Sequence, residues 1–227
     1  SALIMTGGEI YGGNTWSSGG NVYLAAAARL EVTNATIRDG KGLQAGNIEA
    51  ERGTRESDYA GVNVKGEVAD YLRNTEIILG EGAVVKNGTT AGNGGNIRLG
   101  DATSNISGNA VIHSGRAGGN AGNLYCVQKM TLNIQGGLIA GGTAALGANI
   151  RQNSGDCILK ITGGMIATGK GTTGGNVYIN NGTMEMTGGV ITAGTASSGG
   201  NIYFKDYNIT DKKVNINHHR QKMGMVF

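Results

Sequence analysis

The stretch Ile158–Thr183, ILKITGGMIATGKGTTGGNVYINNGT, holds one full copy of the pattern that decides the fold. Apolar residues alternate with polar ones over short runs, and glycine-rich turns separate the runs. That is the two-residue period of strands, not the 3.6-residue period of a helix. A helix would also lose on the order of 1 kcal/mol at each interior glycine relative to alanine. The phrase at its centre returns as SSGGNVYLA from Ser17, GNGGNIRLG from Gly92, GNAGNLYCV from Gly119, AALGANIRQ from Ala144 and SSGGNIYFK from Ser197.

Aligned on the asparagine, the copies fall at Asn21, Asn47, Asn96, Asn123, Asn149, Asn176 and Asn201, spaced 26, 49, 27, 26, 27 and 25 residues apart. An aliphatic column runs through Ile10, Ile37, Val85, Ile112, Ile139, Ile166 and Ile191, and a glycine follows each of these by three residues, from Gly13 to Gly194. Three columns with one period mark a repeat architecture. Three short strands per coil, stacked ~4.8 Å above their equivalents, make a parallel β-solenoid. The sequence therefore predicts an all-β chain, a single right-handed parallel β-helix over residues 1–227 with seven to eight rungs of 25–27 residues. The handedness follows the preference of parallel crossovers.

Composition agrees with this reading. Gly is 43 of 227 residues and Pro is absent, which excludes collagen, and the spaced aliphatics argue against disorder. No apolar run approaches the ~18 residues of a membrane helix, so membrane insertion is not expected. A net charge of +3 is too small for a nucleic-acid-binding stripe. The excess sits between Lys205 and Lys222, where five Lys/Arg face two Asp, and residues 209–227 read as an atypical terminal rung or tail.

Within the repeated phrase, the aliphatic after each asparagine points inward and the next residue outward. The asparagines themselves read as a ladder, their side chains hydrogen-bonding from rung to rung. The outward positions are Tyr23, Glu49, Arg98, Tyr125, Arg151, Tyr178 and Tyr203. The tyrosines and arginines among them form a candidate binding stripe for glycans or protein, since both pair an apolar body with a polar tip. Ordinary cross-strand stacking on an exposed sheet is the competing explanation.

A second outward column carries Arg38, Lys86 and His113 on consecutive rungs, with Asp39 beside them. Stacked cations of this kind could neutralise an acidic polysaccharide and abstract a proton, so these four are the catalytic candidates. Glycoside hydrolysis needs a second carboxylate opposite the first, and no column offers one beside Asp39. The strings GAVVKNG and NAVIHSG leave the register open by one residue, on Val84 and Val111 or on Val85 and Ile112.

The period breaks once, between Asn47 and Val85, by an excess of about 22 residues. Residues 51–74 hold nine of the 35 charged residues and read as a charged excursion from a corner. Cys126 and Cys157 lie on neighbouring rungs but five positions out of register, roughly 15 Å along extended chain, so two free thiols are expected. Three His without a Cys/His cluster give no zinc site, and no phosphate-binding, calcium-binding or nucleophile-elbow motif occurs, so neither metal nor cofactor is expected. Five sequons, at Asn34, Asn87, Asn105, Asn181 and Asn208, offer possible N-glycosylation in a secretory setting. Thr6, Thr162 and Thr187 precede a glycine pair, but their column reads Asn34 or Gln135 elsewhere, too irregular for a lattice-matched ice-binding face.

The units ITGGMIATGKGTTGGNVYINNGT and MTGGVITAGTASSGGNIYF resemble the glycine-rich right-handed β-helix repeats of large bacterial surface and secreted proteins, in the broad pectate-lyase-like superfamily. The resemblance covers the chain apart from the excursion and the part after about Asn208. It implies an extracellular or cell-surface setting and no particular activity, because this fold hosts enzymes, adhesins and fibres alike. Both ends of the sequence read as uncapped coils, a piece of a longer helix or a unit docking end to end. The expected role is a structural or adhesive rod or filament subunit that self-associates. A glycan-binding module is the alternative, and a polysaccharide lyase or hydrolase the third reading.

Overall fold

Each repeat closes into one coil of three short strands, and about seven coils stack in parallel in the computed structural model. The structure describes residues 1–25, 27–51, 75–100, 102–128 and 130–205. The excursion at 51–74, apart from Glu51, and the tail at 209–227 lie outside the described residues, as does Asn208.

Strands are numbered in chain order. The first sheet stacks β1 (Ala2–Met5), β4 (Arg29–Val32), β8 (Thr75–Leu79), β12 (Ala102–Ile106), β16 (Met130–Ile134), β19 (Cys157–Ile161) and β22 (Thr183–Met186). The second stacks β2 (Glu9–Tyr11), β5 (Thr36–Arg38), β9 (Val84–Lys86), β13 (Val111–His113), β17 (Leu138–Ala140), β20 (Met165–Ala167) and β23 (Val190–Thr192). The third stacks β3 (Val22–Leu24), β7 (Ile48–Ala50), β11 (Ile97–Leu99), β15 (Leu124–Cys126), β18 (Ile150–Gln152), β21 (Val177–Asn180) and β24 (Ile202–Lys205). A short ribbon of β6 (Lys41–Gly42), β10 (Thr89–Thr90) and β14 (Arg116–Ala117) joins the second sheet to the loop before the third, and single bridges continue it along the stack. Strand β8 pairs directly with β4, so the break in period falls at one corner, between Ala50 and Thr75, and no extra rung enters the sheets there.

Alternation places the core. Ile37, Val85, Ile112, Ile139 and Ile166 are buried in register, which settles the ambiguous strings on Val85 and Ile112 and turns Val84 and Val111 outward. Ile48, Ile97, Leu124, Ile150 and Val177 line the third sheet's interior. Polar side chains interrupt two core columns: Ser104 stands between Ile77 and Leu132, and Gln152 stands between Cys126 and Ile179. Gln152 donates to Cys157 O and Thr183 O, while its Oε1 has no partner among the described residues. Both cysteines are buried and no disulfide joins them, and the Cys157 thiol donates to Gln128 O at 2.7 Å. Burial pushes the Cys126 thiol well above its ordinary value, so it is a core group and not a nucleophile.

One corner repeats a left-handed residue. Asp39, Asn87, Ser114, Thr168 and Ala193 all take φ between 53° and 58°, directly after a second-sheet strand. That conformation costs a residue with a Cβ about 1–2 kcal/mol, so the stack, not local preference, imposes it at Thr168 and Ala193. The glycine that follows is required by space instead. A Cβ at Gly88 would come within 2.1 Å of Gly95 O, and one at Gly169 within 2.0 Å of Gly175 O.

The asparagines fill that narrow corner as a continuous ladder. Asn47 Nδ2 donates to Asn96 Oδ1 at 2.8 Å, Asn96 to Asn123 at 2.7 Å, Asn123 to Asn149 at 2.8 Å and Asn149 to Asn176 at 2.7 Å. The second N–H of each reaches the carbonyl that closes the second sheet, as Asn96 does to His113 O at 2.9 Å. Each Oδ1 also accepts from the corner glycine of its own coil, as Asn96 does from Gly88 N at 2.8 Å. An interior ladder asparagine thus makes four hydrogen bonds, the full capacity of its amide.

Candidate functional site

Two outer surfaces carry the side chains that the sequence singles out. On the third sheet, Tyr23, Glu49, Arg98, Tyr125, Arg151, Tyr178 and Tyr203 stand in one registered column, outside the core cluster. The column is packed rather than displayed over most of its length: Glu49 is 6% exposed, Tyr125 6%, Arg151 9% and Tyr178 5%, against 47% for Tyr23. The reason lies in the glycine before the ladder asparagine, whose turn folds back over this face. A Cβ at Gly147 would lie 2.8 Å from Tyr178 Cβ and 3.0 Å from Arg151 Cβ. Alternation says which side of the sheet a residue takes, and not what the adjoining turn lays over it.

Contacts within the column are mostly internal. Arg98 Nη1 donates to Glu49 Oε1 at 2.7 Å. The Arg151 guanidinium donates to Asn120 Oδ1 and, at 2.8 Å, to Asn153 Oδ1, and its carbon lies 5.0 Å from the Tyr178 ring centre. Tyr178 stacks on Tyr203 with centroids 5.1 Å apart. Burial pushes the Glu49 carboxyl up despite Arg98, and burial lowers Arg151. Burial, with the nearby Glu51 carboxylate, also pushes the Tyr23 phenol up to about 12. The shifts at Glu49 and Arg151 are those of groups held in a packed ladder, which is a way to fasten coils together.

On the second sheet the four catalytic candidates do share a face. Arg38, Lys86 and His113 are registered neighbours on consecutive coils, headed by Tyr11. Arg38 is already engaged: it donates to Glu9 Oε2 at 2.7 Å and to Asp39 Oδ2, and lies 4.3 Å over the Tyr11 ring. These carboxylates raise its pKa further, so it is no base. Arg38 and the Asn87 amide, 3.0 Å away, hold the Asp39 carboxyl below its ordinary range. His113 Nδ1 lies 2.9 Å from Ser114 Oγ, and burial together with Lys86 pushes the imidazole below its ordinary value. The cluster can attract an anion. For hydrolysis it lacks a proton-donating acid, because both of its carboxylates accept from Arg38.

Around the left-handed corner runs a column that sequence reasoning missed. Asn14, Lys41, Thr89, Arg116, Thr143, Lys170 and Thr195 pair in register along the short ribbon. Trp16 follows at its head, 93% exposed. The signal was present in the spacing, each residue lying one place after the column of corner glycines, but the ribbon is too short to show an alternation of its own.

Among the sequons, Asn34, Asn87 and Asn181 sit exposed at left-handed turns. Asn105 lies inside β12, and its Oδ1 accepts from Asn133 at 2.8 Å. No group of three potential metal ligands gathers among the described residues. No protein-family model, curated protein or solved structure matches this chain at a significant level.

Proposed function

We propose that the protein is a structural or adhesive β-helix of the cell exterior, a stiff rod whose coils extend by stacking on a second copy. The observation that carries this is the direction of the ladder. At one end Asn21 Oδ1 accepts only from Gly13 N among the described residues, at 2.8 Å. At the other, Asn201 Oδ1 accepts from Asn176 and Gly194, and its amide N–H groups have no acceptor among the described residues. A spare donor at one end matches a spare acceptor at the other, and among the described residues the three sheets run from β1, β2 and β3 to β22, β23 and β24. Such contacts are heterologous and do not close, so they build a filament. The likeness of the coils to glycine-rich repeats of bacterial surface proteins supports the extracellular setting.

Glycan binding by the tyrosine and arginine stripe has less support, because Tyr125, Arg151 and Tyr178 present little surface. A lyase centred on Arg38, Asp39, Lys86 and His113 has less again, with Arg38 held by two carboxylates. The test is sedimentation and negative-stain microscopy of the purified chain across a concentration series. Rods lengthening with concentration are the expected outcome; discrete particles of one length at the highest concentration would sink the filament.

A further inference from the structure

We infer that the corner between the second sheet and the short ribbon is a docking surface for a linear anionic polysaccharide, running along the stack. The observation behind it is how the cations are sorted. On the first sheet every exposed cation described has an acid: Arg29 lies 2.8 Å from Glu31 and 3.3 Å from Glu76, and Lys160 lies 3.7 Å from Glu185. On the third, Arg98 holds Glu49 and Arg151 is packed on Tyr178. Around the corner, Lys41, Lys86, Arg116 and Lys170 have no acid within ion-pair distance among the described residues, and the two acids on this side, Glu9 and Asp39, are both taken by Arg38.

Register turns these unpaired cations into a track. Lys41, Arg116 and Lys170 occupy alternate coils of the ribbon, about 9.6 Å apart for coils stacked ~4.8 Å apart. Lys86 fills the intervening coil from the second sheet, beside His113. Thr89 and Thr143 stand between the cations of the ribbon, and Thr195 follows Lys170. At the head of the track stand Tyr11, 62% exposed, and Trp16, rings that a sugar can lie against. Unpaired charge, hydroxyls and exposed rings together fit a charged sugar chain better than a bare polyanion.

The experiment uses the purified full chain with matched probes: carboxymethyl-dextran, dextran sulfate, uncharged dextran and inorganic polyphosphate, titrated at low and high salt. The expected result is salt-sensitive binding to either charged dextran and none to dextran. The double variant Lys41→Gln/Lys170→Gln is expected to lose about tenfold in affinity, and Arg29→Gln/Lys160→Gln, which removes the same charge from the first sheet, no more than about twofold. Trp16→Ala is expected to weaken the charged dextrans and leave polyphosphate unchanged. The singles Lys41→Gln and Lys170→Gln, each expected to lose part of the effect, carry the same test should the double variant melt early. No binding to either charged dextran, equal loss in both double variants, or a Trp16→Ala variant that binds every probe as before would overturn the inference.

Discussion

At the residue scale the ladder concentrates the consequences of a single substitution. Asn123→Ala leaves Gly115 N and one Asn96 Nδ2 N–H without their buried acceptor and breaks the relay between Asn96 and Asn149, while Ala140 O keeps its bond from Ser114 N. Unmet groups of this kind cost about 1–3 kcal/mol each, so a loss of about 2–4 kcal/mol is expected in urea unfolding, with a smaller loss for Asn21→Ala at the end. The corner glycines divide in the same way. Gly88→Ala drives a Cβ to 2.1 Å from Gly95 O, while a Cβ at Gly7 meets nothing within 4 Å. The first should destabilise the protein by more than about 2 kcal/mol and the second by less than about 1 kcal/mol in the same assay. His113 offers a check on electrostatics. Its folded pKa lies below 6.5, so the unfolded chain binds this proton more readily, and its contribution to stability is lost as pH falls through the ordinary histidine range. An NMR titration should place His113 below 6.5, and Lys86→Gln should move it partway back, because burial is the larger cause. A midpoint at or above 6.5 in the parent chain would contradict the geometry.

At the scale of strands and turns, the sequence was legible where one residue type repeats at one period. The asparagine, aliphatic and glycine columns placed the coils, because each answers a fixed demand of the stack: an amide's four hydrogen bonds, an interior position, a corner with no room for a Cβ. Thr168 and Ala193 at the left-handed corner were not legible, since neither favours that conformation and only stacking on Asp39, Asn87 and Ser114 imposes it. The third-sheet column was half legible. Its outward direction followed from alternation, but its burial depends on turns that pack back through Gly147, Gly174 and Gly199. The cation track was missed because pairing decides it, and whether Lys41 or Lys160 has an acid beside it is a property of neighbouring coils. Packing rather than display at Tyr178 has a consequence for stability. Tyr178→Ala removes a ring held between Arg151 and Tyr203 and should cost about 2–4 kcal/mol in thermal unfolding, whereas Tyr23→Ala should cost under about 1 kcal/mol. Equal, small effects at both would return the column to a display surface.

For the molecule as a whole, each coil touches only its neighbours, so stability is a sum of coil and interface contributions along one axis. The middle coils have partners on both faces, and among the described residues the outermost ones leave Leu3, Ile191 and Ile202 of the core columns only partly covered. Opening should therefore begin at the ends and reach the centre last. The same one-dimensional stack underlies the rod proposed here and the track of charge along its corner. Hydrogen–deuterium exchange read at both backbone and side-chain amides tests it most directly. The account expects the slowest exchange in β8, β12 and β16 and in the carboxamides of Asn96, Asn123 and Asn149, with protection falling toward both ends. Ladder carboxamides exchanging as fast as exposed Asn87, or protection unrelated to position along the stack, would contradict it.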